Sequence, residues 1–111
     1  RADPSWRGGP IAALREAWAR YKAPVAITEC HLAGPREEQL RWLHRTWSGA
    51  QALRAEGAEV RALTVWSVFG AFDWNQLVTV ENGFYEPGAF DVRAPTPRPT
   101  AIARLVAHLA T

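Results

Sequence analysis

The sequence predicts an α/β fold with parallel strands, and three observations carry that expectation. Two short runs, Val25–Thr28 and Val60–Val68, are apolar and rich in β-branched residues. A long stretch with helical spacing separates them, and further helical stripes precede the first run and close the chain. Strands alternating with helices imply a parallel sheet joined by right-handed crossovers.

The first helix is expected from Pro10 to Tyr21, where Ile11, Leu14, Trp18 and Tyr21 recur at steps of three and four. Pro10 suits a first helical turn. Pro24 ends the segment, because a residue preceding proline avoids the α region. Val25-Ala26-Ile27-Thr28 then reads as a fully buried parallel strand, ending on Glu29-Cys30-His31. After Gly34-Pro35 a second helix is expected, with Glu37 and Glu38 in the first turn, where the helix dipole favours negative charge. Leu40, Leu43, Trp47, Ala50 and Leu53 trace its buried stripe, and Gly57 is a natural stop. The second strand follows from Val60. Phe69 to Pro99 reads as loop, and Thr100 to Leu109 as a last helix with Ile102, Leu105, Val106 and Leu109 on one side.

Length and charge narrow the function classes. With 111 residues the chain is at most one small domain. Arginines such as Arg15, Arg41 and Arg54 are interleaved with Glu16, Glu37, Glu38 and Glu56, so the net charge of +2 reads as solvated helix faces and not as a nucleic-acid surface. No run approaches the roughly 18 apolar residues of a bilayer span, and no signal peptide opens the chain. No membrane role is expected. The lone Cys30 excludes an internal disulfide and fits a reducing, cytoplasmic compartment. The chain opens on Arg1 and not Met, which reads as a processed product or a fragment.

Few polar residues are placed to do chemistry. Cys30, His31 and His44 lack the paired spacing of a zinc site, so no metal is expected, and no nucleotide motif points to a cofactor. A Cys30–His31 nucleophile fails because neighbouring strand residues point to opposite faces. His108 is expected to face solvent. Glu29, directly after a buried apolar strand, is the strongest candidate. A carboxylate there serves either catalysis or a structural role, capping the following helix or pairing with an arginine. Of the six tryptophans, Trp6, Trp18, Trp42 and Trp47 sit in or near helices and read as core. Trp66 and Trp74 do not, and an exposed indole face is suited to stacking on a sugar ring.

Ile27-Thr28-Glu29, taken with Trp66-Ser67-Val68-Phe69-Gly70-Ala71-Phe72-Asp73-Trp74, resembles glycoside hydrolase family 1 and its relatives. In that family Ile-Thr-Glu-Asn-Gly ends the seventh strand of a (β/α)₈ barrel, and Trp-Ser-Leu-x-Asp-Asn-Phe-Glu-Trp ends the eighth. The resemblance runs from about Pro24 to Leu109. Because a whole barrel needs about 250 residues, it implies that residues 1–111 are a single partial domain, the C-terminal quarter of a TIM barrel, containing strands 7 and 8 with flanking helices.

The same resemblance implies roles. Glu29 would be the nucleophile of a retaining O-glycosidase, Trp66 would stack on a sugar ring, and Asp73 and Trp74 would receive sugar hydroxyls. The acid/base carboxyl comes from the fourth strand in the family and is absent here, so the fragment alone is expected to be inactive. A carbohydrate would be the ligand of the intact parent, and the remaining barrel strands or a second copy would complete the packing, leaving Leu40, Leu43 and Trp47 short of partners without them. The Trp66–Ser67 peptide is expected to be cis, as is common in such barrels. The chain departs from the family where Cys30-His31 stands for Asn-Gly and where Asp73 stands for a longer glutamate. A second resemblance, through Tyr85-Glu86-Pro87-Gly88 and Pro97-Arg98-Pro99-Thr100-Ala101, is to bacterial fusions in which such a barrel precedes a sugar-nucleotide reductase of the dTDP-4-dehydrorhamnose reductase kind. It implies an alternative role as a non-catalytic sugar-binding or scaffolding barrel.

Overall fold

The computed structural model describes residues 9–111; Trp6 lies outside them. Helix α1 (Gly9–Tyr21) leads into strand β1 (Val25–Cys30), helix α2 (Arg36–Ala55) and strand β2 (Val60–Val65). Four two-residue strands follow, β3 (Ala71–Phe72), β4 (Tyr85–Glu86), β5 (Phe90–Asp91) and β6 (Arg98–Pro99), before helix α3 (Ala101–Leu109). β1 and β2 pair in parallel, as the helix between them requires. The chain is therefore α/β, with boundaries that differ from the expected ones: β1 runs on through Glu29 to Cys30, and β2 stops at Val65.

The sheet has two unlike faces. Val25, Ile27 and Cys30 of β1, with Val60, Leu63 and Val65 of β2, pack on the helices. Ala26, Thr28, Glu29, Ala62 and Thr64 are exposed on the other side. The expectation of fully buried strands is thus corrected. The helices cover one face, and no described element covers the other. The register shifts between Ile27 and Cys30, which leaves Thr28 and Glu29 consecutively exposed before Cys30 returns to the core.

Two small cores hold the helices down. At the start of the strands Leu14 of α1 meets Ala50 and Leu53 of α2 and Val60, with Leu53 only 1% exposed. Burying such a leucine contributes about 1.5–3 kcal/mol. A Cβ at Gly49 would lie 2.6 Å from Cγ1 of Ile11, so the glycine is what lets α1 approach α2. At the far end Cys30, Leu43 and Ile102 join α2 to α3, and the expected α3 stripe packs there.

The stripe of α2 sits differently from its expected position. Its buried residues are Gln39, Leu43, Thr46, Ala50 and Leu53. Gln39 Nε2 donates to Leu32 O at 3.1 Å and Thr46 Oγ1 donates to Trp42 O at 2.8 Å, which satisfies both buried polar groups. Leu43 is 3% exposed, and Leu40 and Trp47 are partly buried. Tyr21, 70% exposed, drops out of the α1 stripe.

The segment read as loop is folded on itself. β3 pairs antiparallel with β4, and β5 with β6. Gly88 makes the crossing possible, since a Cβ there would lie 2.5 Å from the Phe69 carbonyl carbon and 2.6 Å from the Gly70 nitrogen. Asp91 fastens β5 to β6. Its carboxylate accepts Arg93 Nη2 at 2.8 Å, Arg93 Nε at 3.1 Å, the Arg93 backbone N–H at 3.0 Å and Arg98 Nη2 at 3.3 Å. The Arg93 guanidinium and then its backbone N–H hold the carboxyl well below the ordinary range, against an opposing desolvation effect. A depressed folded pKa makes this stabilisation complete above the unfolded value of about 3.9 and loses it as pH falls below that value. Acid titration of stability should therefore show a loss beginning near pH 4, and Asp91→Asn should flatten that limb.

Candidate functional site

The site is built where β1 and β2 end. Trp66 N–H donates to Cys30 O at 3.1 Å, which fixes the two strand ends side by side. Cys30 faces the helices and is 4% exposed, Glu29 before it is exposed, and His31 follows directly after the strand end. Burial pushes the Cys30 thiol up, partly offset by Thr46, which makes it a poor nucleophile. Glu29 is exposed and makes no hydrogen bond or ion pair among the described residues. The structural alternative, a partnership with an arginine in the helix layer, is not what the described residues form.

Beyond β2 the Trp66–Ser67 peptide is cis, as expected. The indole of Trp66 lies 5.3 Å from that of Trp74 at an interplanar angle of 35°, and 5.3 Å from the His31 ring at 66°. The strand ends are thus floored by a continuous aromatic surface running from His31 to Trp74, which is 42% exposed. Edge-to-face and offset contacts of this kind favour a fixed ring geometry. His31 in turn bonds to Glu86 through Nε2 and Oε1. An ionised carboxylate only accepts, so Nε2 carries the proton.

Asp73 is tied into the turn that follows it. It is 6% exposed and its carboxylate accepts three backbone N–H groups, Phe84 at 2.9 Å on Oδ1 and Asn82 and Gly83 at 3.2 Å on Oδ2. Its own N–H donates to Phe84 O at 2.7 Å and its carbonyl accepts from Gln76 and Val78. Asp73, Leu77 and Val78 all have positive φ, at 56°, 52° and 55°. Left-handed backbone costs a non-glycine residue, most of all a β-branched one such as Val78. Asp73 is the hub that holds this 73–84 turn in shape, and its oxygens are largely spent on doing so.

The residues that sequence reasoning passed over are His31, weighed only as a metal ligand or thiol partner, and Glu86. The place of His31 directly after a strand end was the available signal. Nothing in the sequence pairs His31 with a residue 55 positions away. Behind them Arg36, whose guanidinium pKa is lowered chiefly by burial, bonds to Gln39 at 3.1 Å and reaches Gly88 O at 3.5 Å. A cavity of about 20 Å³ between His31, Trp66, Gly88 and α2 has room for no more than a water. A larger ligand does not fit there. Among the described residues no three His, Cys, Asp or Glu side chains gather as a metal site, and no helix is long and apolar enough to cross a membrane.

No protein-family model matches this sequence, and no curated protein does. Among solved structures the chain is similar to the β-glycosidase BGL167, with a TM-score of 0.74 and 26% identity over 89% of this chain. The chain spans 24% of the length of that protein.

Proposed function

We propose that this chain is the C-terminal quarter of a glycosidase-like (β/α)₈ barrel, with β1 and β2 as its seventh and eighth strands. Its open sheet face then forms one wall of a sugar site. The observation that supports this reading is that Glu29 is exposed near the C-terminal end of a strand whose parallel neighbour leads into Trp66, which packs on Trp74. Barrel enzymes assemble their chemistry at the C-terminal ends of their strands. The structural likeness to a β-glycosidase supports it independently.

In this reading Glu29 attacks the anomeric carbon while a protonated carboxyl about 5–5.5 Å away gives its proton to the departing oxygen. The glycosyl–enzyme ester that results is then hydrolysed, the second carboxylate taking a proton from water. That partner carboxyl lies on a strand outside this chain, as do the strands that would cover the exposed face, so the fragment is inactive alone. Trp66 and Trp74 hold the apolar face of the sugar.

A second reading keeps the sugar site and drops the hydrolysis: a non-catalytic sugar-binding barrel within a sugar-nucleotide enzyme. The commitment of Asp73 to backbone amides favours it. Both readings require sugar binding. Titration of the full-length protein with methyl glycosides should quench tryptophan fluorescence, and Trp66→Ala should weaken binding about tenfold, the loss of an aromatic contact worth ~0.5–1.5 kcal/mol beyond its area. Unchanged affinity in that variant would remove the open face from consideration as the sugar site.

A further inference from the structure

We propose that His31 and Glu86 form the hydroxyl-recognition pair of this sugar site, with Glu86 accepting a hydroxyl of a neutral pyranoside. The proposal rests on the sugar-binding reading and adds to it the residues that set specificity. Its first support is geometric. His31 stands edge-on to Trp66 and holds Glu86 by Nε2, so a carboxylate is fixed beside the aromatic floor. A pyranose laid on that floor turns its hydroxyl edge outward, towards a group in this position.

The second support is unused capacity. Oε1 of Glu86 is taken by His31, while Oε2 and the Nδ1 of His31 have no hydrogen-bond partner among the described residues. Neither atom is fully buried, because no buried unpartnered side-chain nitrogen or oxygen occurs there. The side chains themselves are only 12% and 23% exposed. A half-buried carboxylate with one oxygen fixed and the other open is a stronger acceptor than a freely solvated one.

The third support comes from Asp73. The position expected to receive hydroxyls accepts three backbone N–H groups and is 6% exposed. Glu86 lies on the strand that pairs with β3, with Ala71 opposite Glu86 and Phe72 opposite Tyr85. It therefore stands on the same hairpin as Asp73, two register positions from the residue opposite it. With Glu29 also on the open side, the site carries two carboxylates and disfavours uronates and sugar phosphates. The ligand class is a neutral glycoside.

The test uses the full-length protein and measures binding of methyl β-D-gluco-, galacto- and mannopyranoside by calorimetry. The monodeoxy analogues of the tightest binder follow. The wild type should bind at least one deoxy analogue ten- to hundredfold more weakly, the range of a charge-assisted hydrogen bond. Glu86→Gln should weaken the parent sugar by a similar factor and bring it level with that analogue, leaving the other deoxy penalties intact. His31→Gln, which keeps a neutral donor to Glu86, should lose part of the same discrimination, and supplies the readout if Glu86→Gln does not fold. A uniform loss across all sugars, with every deoxy penalty preserved, would make the pair a mere pin for the β4 turn and overturn the proposal. Failure of the wild type to bind any of the glycosides would instead overturn the sugar-site reading, and this proposal with it.

Discussion

In the full-length protein Glu29→Gln is expected to lower glycoside hydrolysis by roughly 10⁴–10⁶-fold, the scale on which covalent nucleophiles fail when removed. The substitution keeps the shape of the side chain and replaces the anionic, nucleophilic carboxylate with a neutral amide. Substrate binding should change little, because the aromatic floor and the His31–Glu86 pair remain. Stability should also be nearly unaffected, within about 0.5 kcal/mol, since Glu29 is exposed and has no hydrogen-bond partner among the described residues. Steady-state kinetics paired with thermal unfolding separate these effects. A variant that hydrolyses at the wild-type rate would reject Glu29 as the nucleophile, whereas a full-length protein that binds glycosides without hydrolysing them would leave the second reading as the surviving one.

The largest stability effect is expected at Asp73. Asp73→Ala strips the partner from three backbone N–H groups and releases a turn that holds three non-glycine residues at positive φ. Leaving even one or two such groups unsatisfied costs about 1–3 kcal/mol each, so a loss of roughly 2–4 kcal/mol is expected for the turn. The effect should be local. Hydrogen exchange at Asn82, Gly83 and Phe84 should accelerate strongly, while the amides of β1 and β2 should keep their protection. Asp73→Asn, which retains an acceptor oxygen, should fall between the two. If those three amides exchange as slowly in Asp73→Ala as in the wild type, the carboxylate is not the hub of the turn. Its oxygens would then be free for a ligand after all.

How much of this was legible in the sequence depends on the range of the interaction involved. The helices and the two parallel strands were written in local periodicity: Ile11, Leu14 and Trp18 for α1, and the β-branched runs for β1 and β2. Boundaries moved where tertiary contacts outweigh local pattern. Gln39 and Thr46 are buried in α2 because Leu32 O and Trp42 O receive their polar atoms, which no hydropathy stripe reveals. The open sheet face was misread as buried because Val25–Thr28 looks the same whether one or both faces are covered. At the site, the strand-end positions of Glu29 and Trp66 were legible from the apolar runs and the motif spacing. The work of Asp73 was not, since the same residue type serves equally for capping a turn or binding a ligand. Partners 9 to 11 positions away decide which it does. The His31–Glu86 pair needs the 71–86 hairpin to be folded before it exists.

The central claim, that Glu29 is a covalent nucleophile in the intact barrel, has a direct chemical test. A 2-deoxy-2-fluoro glycoside with a good leaving group slows both steps through an oxocarbenium-like transition state, while the leaving group preserves formation of the ester, so the glycosyl–enzyme accumulates. Mass spectrometry of the digested full-length protein should then place one fluoroglycosyl group on the peptide that contains Glu29, and Glu29→Gln should carry none. A label on any other residue, or an unlabelled Glu29 in protein that demonstrably binds the sugar, would contradict the account.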